Sequence, residues 1–172
     1  SVWLDVDRLI EEIYDPHTHP STSRRFYLNQ IIAAEDAWLA PHEWDRCVAP
    51  ERIVQPGEQI TLGGDGSKSD DNTVLMGCCV SDSHLFPLGA WDPADHGGEV
   101  PTAEVDAAVE KAFADYDVVG FYNDVQFWES YIDRWEQNHG DTLCARATER
   151  HPIAWDMRGH KLETTKAAEA YH

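Results

Sequence analysis

Three observations predict an α/β protein with a mixed central sheet flanked by helices. Short β-compatible runs at Ile60–Gly64, Thr73–Val80 and His84–Trp91 follow one another with only turn-forming residues between them, which reads as a three-stranded antiparallel meander. From Pro101 onward the apolar period lengthens, and helical stripes alternate with strands at Asp117–Tyr122 and Leu143–Thr148. The resulting order, β-β-β-α-β-α-β-α, calls for helices packed on a sheet.

Each element has its own signal. Val6, Leu9, Ile10 and Ile13 recur at helical spacing between acids, so residues 2–14 read as a short amphipathic helix that Asp15-Pro16 ends. Turn-formers fill His17 to Ser23, and Arg24 to Trp38 reads as a second, mostly helical stretch. Pro41, Pro50 and Pro56-Gly57 are expected to interrupt regular structure after Trp38, so residues 1–55 read as an extension or linker and residues 56–172 as the regular domain. In that domain, Ser67–Asn72 turns the first hairpin and Ser81-Asp82-Ser83 the second. Thr102 is the expected N-cap of a helix whose stripe is Val105, Ala108, Val109, Ala112 and Phe113. A second helix is expected from about Val125 to Asn138, with Phe127, Trp128, Tyr131, Ile132 and Trp135 inward and Gly140 at its C-cap. A third is expected to begin near Lys161 and to be still running at His172.

Composition narrows the classes. With 172 residues and 42% hydrophobic content, one domain with its own core is the default. No run approaches the ~20 apolar residues of a membrane span, and no basic-then-apolar leader opens the chain, so a soluble protein without an export signal is expected. Cys47, Cys78, Cys79 and Cys144 lack the paired spacing of a zinc or redox motif and read as small buried thiols of a reducing compartment. The net charge of -19 opposes simple nucleic-acid binding, because phosphate contacts need Lys and Arg. The 32 acids are either a solvated surface or, in part, a cation site that reverses the local charge when metal binds.

Two carboxylates stand where chemistry is possible. Asp65 closes the first strand within Gly63-Gly64-Asp65-Gly66-Ser67, where missing side chains leave room for a cation and a phosphate. Asp124 closes the fourth. If those strands are neighbours, two hard oxygen ligands meet at one sheet edge, as Mg²⁺ or Mn²⁺ requires, and a pair of such ions ~4 Å apart hydrolyses phosphodiesters without a protein nucleophile. An ordinary Asp-Gly turn explains Asp65 as well, and a helix N-cap explains Asp124. In the first hairpin, Asp70 and Asp71 are further candidates to reach the metal, and Lys68 to meet a phosphate.

Several segments, taken together over nearly the whole chain, resemble the large terminase subunits of tailed phages, in particular those of actinobacteria. Arg24-Arg25-Phe26-Tyr27-Leu28-Asn29-Gln30 is similar to the family's stretch linking packaging ATPase to nuclease, and Trp38 and Trp44 come after it as tryptophans do there. Ile60 to Leu75 resembles the first nuclease hairpin, and Gly120 to Trp128 the strand that delivers the second catalytic Asp. The resemblance implies a ribonuclease-H-like domain, which the element order also fits, with Asp65 and Asp124 as catalytic metal ligands cutting double-stranded concatemeric DNA. It also implies the portal protein, the small terminase subunit and the terminase ATPase domain as partners, in the host cytoplasm. No G-x-x-x-x-G-K-[ST] loop is present, so an ATP site is not expected. The family's third acid is expected beyond His172, which makes the chain read as truncated; Glu163 and Glu169 have no counterpart in the resemblance.

His17 and His19 are two ligands without a third and read as a solvated turn; His84, His96, His139, His151 and His160 are scattered. The tryptophans read as packing residues, since basic residues do not interleave with Trp128 and Trp135. A non-catalytic docking module of the same fold is the alternative function, and a resolvase- or transposase-type nuclease a third that leaves Arg24–Gln30 unexplained.

Overall fold

The structure, a computed structural model, describes residues 41–69 and 71–170 together with Arg8, Ile10, Ile13 and Tyr14. These fall into two compact units divided between Ile53 and Val54. Of the expected N-terminal helix, positions 8, 10 and 13 are described and helical, and Tyr14 N–H donates to the Ile10 carbonyl at 3.1 Å. The stretch Arg24–Trp38, including Arg24–Gln30, and the His17/His19 turn lie outside the described residues. Pro41 opens a helix, α1 (Pro41–Cys47), where a break was expected. The first helical position has no N–H bond to lose, and the ring presets its φ.

In the second unit, β1 (Gln59–Asp65), β2 (Thr73–Cys79) and β3 (Leu85–Trp91) form the meander. Next come a 3-10 turn (Pro93–His96), α2 (Thr102–Asp115), β4 (Asp117–Asp124), α3 (Glu129–His139), β5 (Ala154–Trp155) and α4 (Lys161–Ala170). The sheet order is β3-β2-β1-β4-β5; β2 is antiparallel to both neighbours, whereas β4 is parallel to β1 and β5 to β4. The α/β class and the mixed sheet agree with the sequence.

β1 and β4 pair from Gln59↔Asp117 to Gly64↔Asn123, with one register shift between Ile60 and Thr61. Strand side chains alternate, so Ile60, Leu62 and Gly64 share one face with Phe121 and Asn123, while Thr61, Gly63 and Asp65 share the other with Tyr122 and Asp124. The first face is the core. Phe121 is fully buried and meets Phe113 of α2 edge-on at 6.3 Å and Trp135 of α3 at 5.6 Å. Val105, Val109 and Ala112 of α2 and Ile132 of α3 complete it, each large side chain contributing ~1.5–3 kcal/mol by leaving water.

The seam between α2 and α3 is polar. Trp135 Nε1–H donates to Asp106 Oδ1 at 2.8 Å, and Asp106 also pairs with Arg134. The Tyr131 hydroxyl donates to Thr102 Oγ1 at 2.9 Å, and Pro101, not the expected Thr102, holds the N-cap position, without a side-chain bond. α3 starts at Glu129, later than expected, because Phe127 adopts a left-handed φ of 71° that a helix does not admit. Phe127 is accordingly exposed (45%), not inward, while Trp128 is buried with an Nε1–H that finds no acceptor among the described residues.

The fifth strand is also displaced. Leu143–Thr148 forms no strand; its Ala145 makes one parallel bridge to Gly120, and Leu143 and Ala147 are buried as loop residues. The chain turns through Thr148–His151 and returns as β5, held by a side chain and not by a long ladder. Glu136 Oε1 of α3 accepts from the backbone N–H groups of Ile153 (3.0 Å) and Ala154 (3.1 Å), and Oε2 faces His151 Nδ1 at 3.2 Å.

Cys79 is buried, and burial followed by the charge of Asp82 raises the pKa of the half-buried Cys78 thiol. Cys47 and Cys144 are exposed, so the buried-thiol expectation fails for them. Among the described residues no helix is long and apolar enough to cross a membrane.

This packing fixes the expected outcome of two substitutions. A Cβ on Gly64 would overlap the Asn123 side-chain oxygen, so Gly64→Ala is expected to lower unfolding stability by ~1–3 kcal/mol in urea titration; wild-type stability would show that Asn123 yields freely. Glu136→Ala strips two backbone donors of their acceptor and should cost ~2 kcal/mol, with Glu136→Gln losing less because its carbonyl still accepts; equal losses would mean that the charge, not the acceptor, holds β5.

Candidate functional site

Asp65 and Asp124 are the last residues of β1 and β4, one step beyond the final registered pair Gly64↔Asn123. Parallel register carries both to the same sheet edge and to the face opposite the helices. Asp65 is exposed and Asp124 half-buried. Asp124 Oδ1 accepts from Val125 N–H at 2.9 Å and Met157 N–H at 3.5 Å, which orients the carboxylate. It does not cap α3, whose N-cap position is Trp128.

The described acid and lysine of the hairpin, Asp71 and Lys68, make bonds within the hairpin and to the approach to α2. Asp71 is exposed and its Oδ1 accepts from Asn72 N–H at 2.7 Å, a local turn bond. Asp70 lies outside the described residues. Lys68 is exposed, and its carbonyl accepts from Val100 N–H at 2.8 Å, tying the hairpin to the approach to α2.

Sequence reasoning missed Asp156. It directly follows β5 as Asp65 and Asp124 close β1 and β4, and its turn docks on Asp124 through Met157 N–H. Its carboxylate is engaged by Arg158, with Nε at 3.0 Å, Nη2 at 3.5 Å and the backbone N–H at 3.0 Å. That side-chain bond first, and the backbone bond second, hold Asp156 below the usual carboxylate range. The same bond, with smaller contributions from the charges of Asp124 and Glu129, raises Arg158. Placing the fifth strand correctly at Ala154–Trp155 would have flagged Asp156. Among the described residues, no three His, Cys, Asp or Glu side chains gather as a metal cluster. Glu163 is exposed on α4.

The glycines flanking Asp65 are not equivalent. Gly64 is required by Asn123 above it and Gly66 by the Thr73 side chain. Gly63 faces nothing within 4 Å of where a Cβ would stand, among the described residues. Beside it Tyr122 is 40% exposed and stacks on Trp155 (5.5 Å, 16°), which stacks on His160 (4.1 Å, 20°). These rings border the carboxylate edge, whereas Trp128 and Trp135 are core. Three other histidines make contacts elsewhere: His84 stacks on Phe86, and His139 and His151 face Glu110 and Glu136. A polar cleft between α3 and the loop after it, lined by Asp133, Asp141, Arg146 and Arg150, contains neither carboxylate.

No family model matches the chain, and no solved structure matches it. It is similar to the "Gene 13 protein" of Mycobacterium phage D29, with 46% identity over 172 residues covering 94% of this chain and 29% of that protein. It is likewise 46% identical to the "Gene 13 protein" of Mycobacterium phage L5 over 175 residues, again 94% of this chain and 29% of the relative. The chain thus spans less than a third of the length of these curated relatives, both of them phage proteins.

Proposed function

We propose that the unit from Val54 onward is the ribonuclease-H-like nuclease domain of a phage large terminase subunit, a metal-dependent endonuclease for double-stranded concatemeric DNA. The observation that carries this is the register of β1 and β4, which sets Asp65 and Asp124 side by side on one open edge. The strand order β3-β2-β1-β4-β5, antiparallel through β1 and parallel beyond it, supports the ribonuclease-H-like assignment, and the phage relatives support the setting.

The donor set fits a hard cation: Mg²⁺ is commonly held by one or two carboxylates, with water and substrate phosphate completing its shell. When bound, Mg²⁺ or Mn²⁺ supplies Lewis-acid polarisation of the scissile phosphodiester. Asp124, oriented by two backbone N–H groups, provides the fixed oxygen donor, and exposed Asp65 the one that meets incoming ligand. Arg158, in the field of Asp124, is the cation nearest in role to a phosphate contact, ahead of Lys68 of the hairpin. The third acid, the DNA grip, the portal protein, the small subunit and the ATPase domain belong to the longer protein on this proposal, in the host cytoplasm.

A non-catalytic docking module is favoured by one observation, the net charge of -19, which opposes DNA. Calorimetry separates the two. Mn²⁺ is expected to bind saturably and to lose that binding in Asp65→Asn and in Asp124→Asn, with Mn²⁺-dependent nicking of plasmid falling roughly 100-fold or more. A wild-type chain that takes up no Mn²⁺, or variants that bind it unchanged, would leave only the docking module standing.

A further inference from the structure

Glycine in the middle of a strand needs a reason, because it lacks a side chain to pack and loses more entropy on ordering than other residues. Gly64 and Gly77 each have one, since a Cβ would strike Asn123 or Phe86, and so does Gly66 just past β1, where it would strike Thr73. Gly63 has neither a neighbour in the way nor a positive φ. Nothing in the packing of the described residues requires it to be bare.

Its neighbours across the sheet give the gap a shape. Gly63 is registered with Met76 on β2 and with Tyr122 on β4, and residues paired in this way project to the same face. Strands lie ~4.8 Å apart, so a missing side chain on the middle strand leaves roughly two spacings between the Met76 and Tyr122 backbones, room for one planar ring between their side chains. One wall is a half-buried thioether, a favourable partner for aromatic rings. The other is the Tyr122 ring, pinned where its hydroxyl donates to the Arg146 carbonyl at 3.0 Å. Rings already stand at the next two stations, Tyr122 on Trp155 and Trp155 on His160. A ring over Gly63 would be the next rung, and Asp65 and Asp124 lie two residues further along the same face.

We propose that this gap over Gly63, between Tyr122 and Met76, is a slot for an unstacked nucleobase of the strand whose phosphodiester is presented to Asp65 and Asp124. The proposal rests on the nuclease assignment and names its substrate feature: a strand locally unpaired at the cut site. A nucleobase is favoured over an aromatic side chain because it arrives with a phosphate, the group that a cation on the adjoining carboxylates would receive. Stacking would add a sequence-tolerant grip to the few cationic contacts, Arg158 among them, that a chain of 32 acids and 13 bases can offer.

The test is a short single-stranded oligonucleotide carrying one 2-aminopurine, titrated with the chain in Ca²⁺. Wild type is expected to change the 2-aminopurine fluorescence saturably. Gly63→Val, which fills the slot, and Tyr122→Leu, which removes its wall, are expected to weaken binding about tenfold. Gly63→Val should melt at or above the wild-type temperature, because valine suits a strand and meets no obstacle, and should keep wild-type Mn²⁺ uptake. Absence of a wild-type fluorescence change, or wild-type affinity in Gly63→Val, overturns the slot; with Mn²⁺ uptake intact, the nuclease assignment survives that result. Missing Mn²⁺ uptake combined with a weakened Gly63→Val sinks the nuclease assignment and keeps the slot. Binding of N-acetyltryptophanamide without the oligonucleotide assigns the gap to a partner's aromatic side chain and overturns the nucleobase.

Discussion

Parallel pairing of β1 with β4 is the constraint on which the rest of the second unit depends. It joins segments almost sixty residues apart and demands a crossover between them, which α2 provides. It buries Leu62 and Phe121 against α2 and α3, and it carries Asp65 and Asp124 to one edge. Two carboxylates one strand spacing apart repel by on the order of 1 kcal/mol even in water. A fold selected for stability alone has no use for that repulsion. A cation between them would reverse its sign, which is the role the proposed function gives the pair.

The parts of this arrangement legible in the sequence are those whose determinants are local. Alternation marks β1, β2 and β3, an apolar stripe marks α2, and the run Val118–Phe121 marks β4. The failures are non-local. β5 pairs through two residues and is held by Glu136 from a helix some eighteen positions earlier, while apolar Leu143–Ala147 packs as a loop. The start of α3 depends on a left-handed Phe127, a conformation that no propensity announces for an aromatic residue. Pro41 is read as a breaker or as a first helical residue only once its helix is known.

The candidate site divides in the same way. Asp65 and Asp124 are visible because each closes a strand, but whether those strands touch is a topological fact that spacing leaves open. Asp156 is invisible for the reason β5 is. Gly63 and Gly64 are the same letter twice, yet Gly64 is bare because Asn123 lies over it, whereas no described residue lies over Gly63. A pattern of residues reports a missing side chain; only packing reports whether something else fills the room.

Charge then limits how such a site can hold nucleic acid. At physiological ionic strength a surface field fades over ~8 Å, so the -19 of the chain repels DNA only at close approach, where contact forces also begin. On the proposed function, a ligand at the β1/β4 edge would be held by short-range terms: a cation on the carboxylates, Arg158 in the field of Asp124, and ring faces at Tyr122. Each of these acts on a single nucleotide and none tracks a duplex. The division of labour that the proposed function then requires is a site that would choose one phosphodiester, working beside some other surface that keeps the polymer in place.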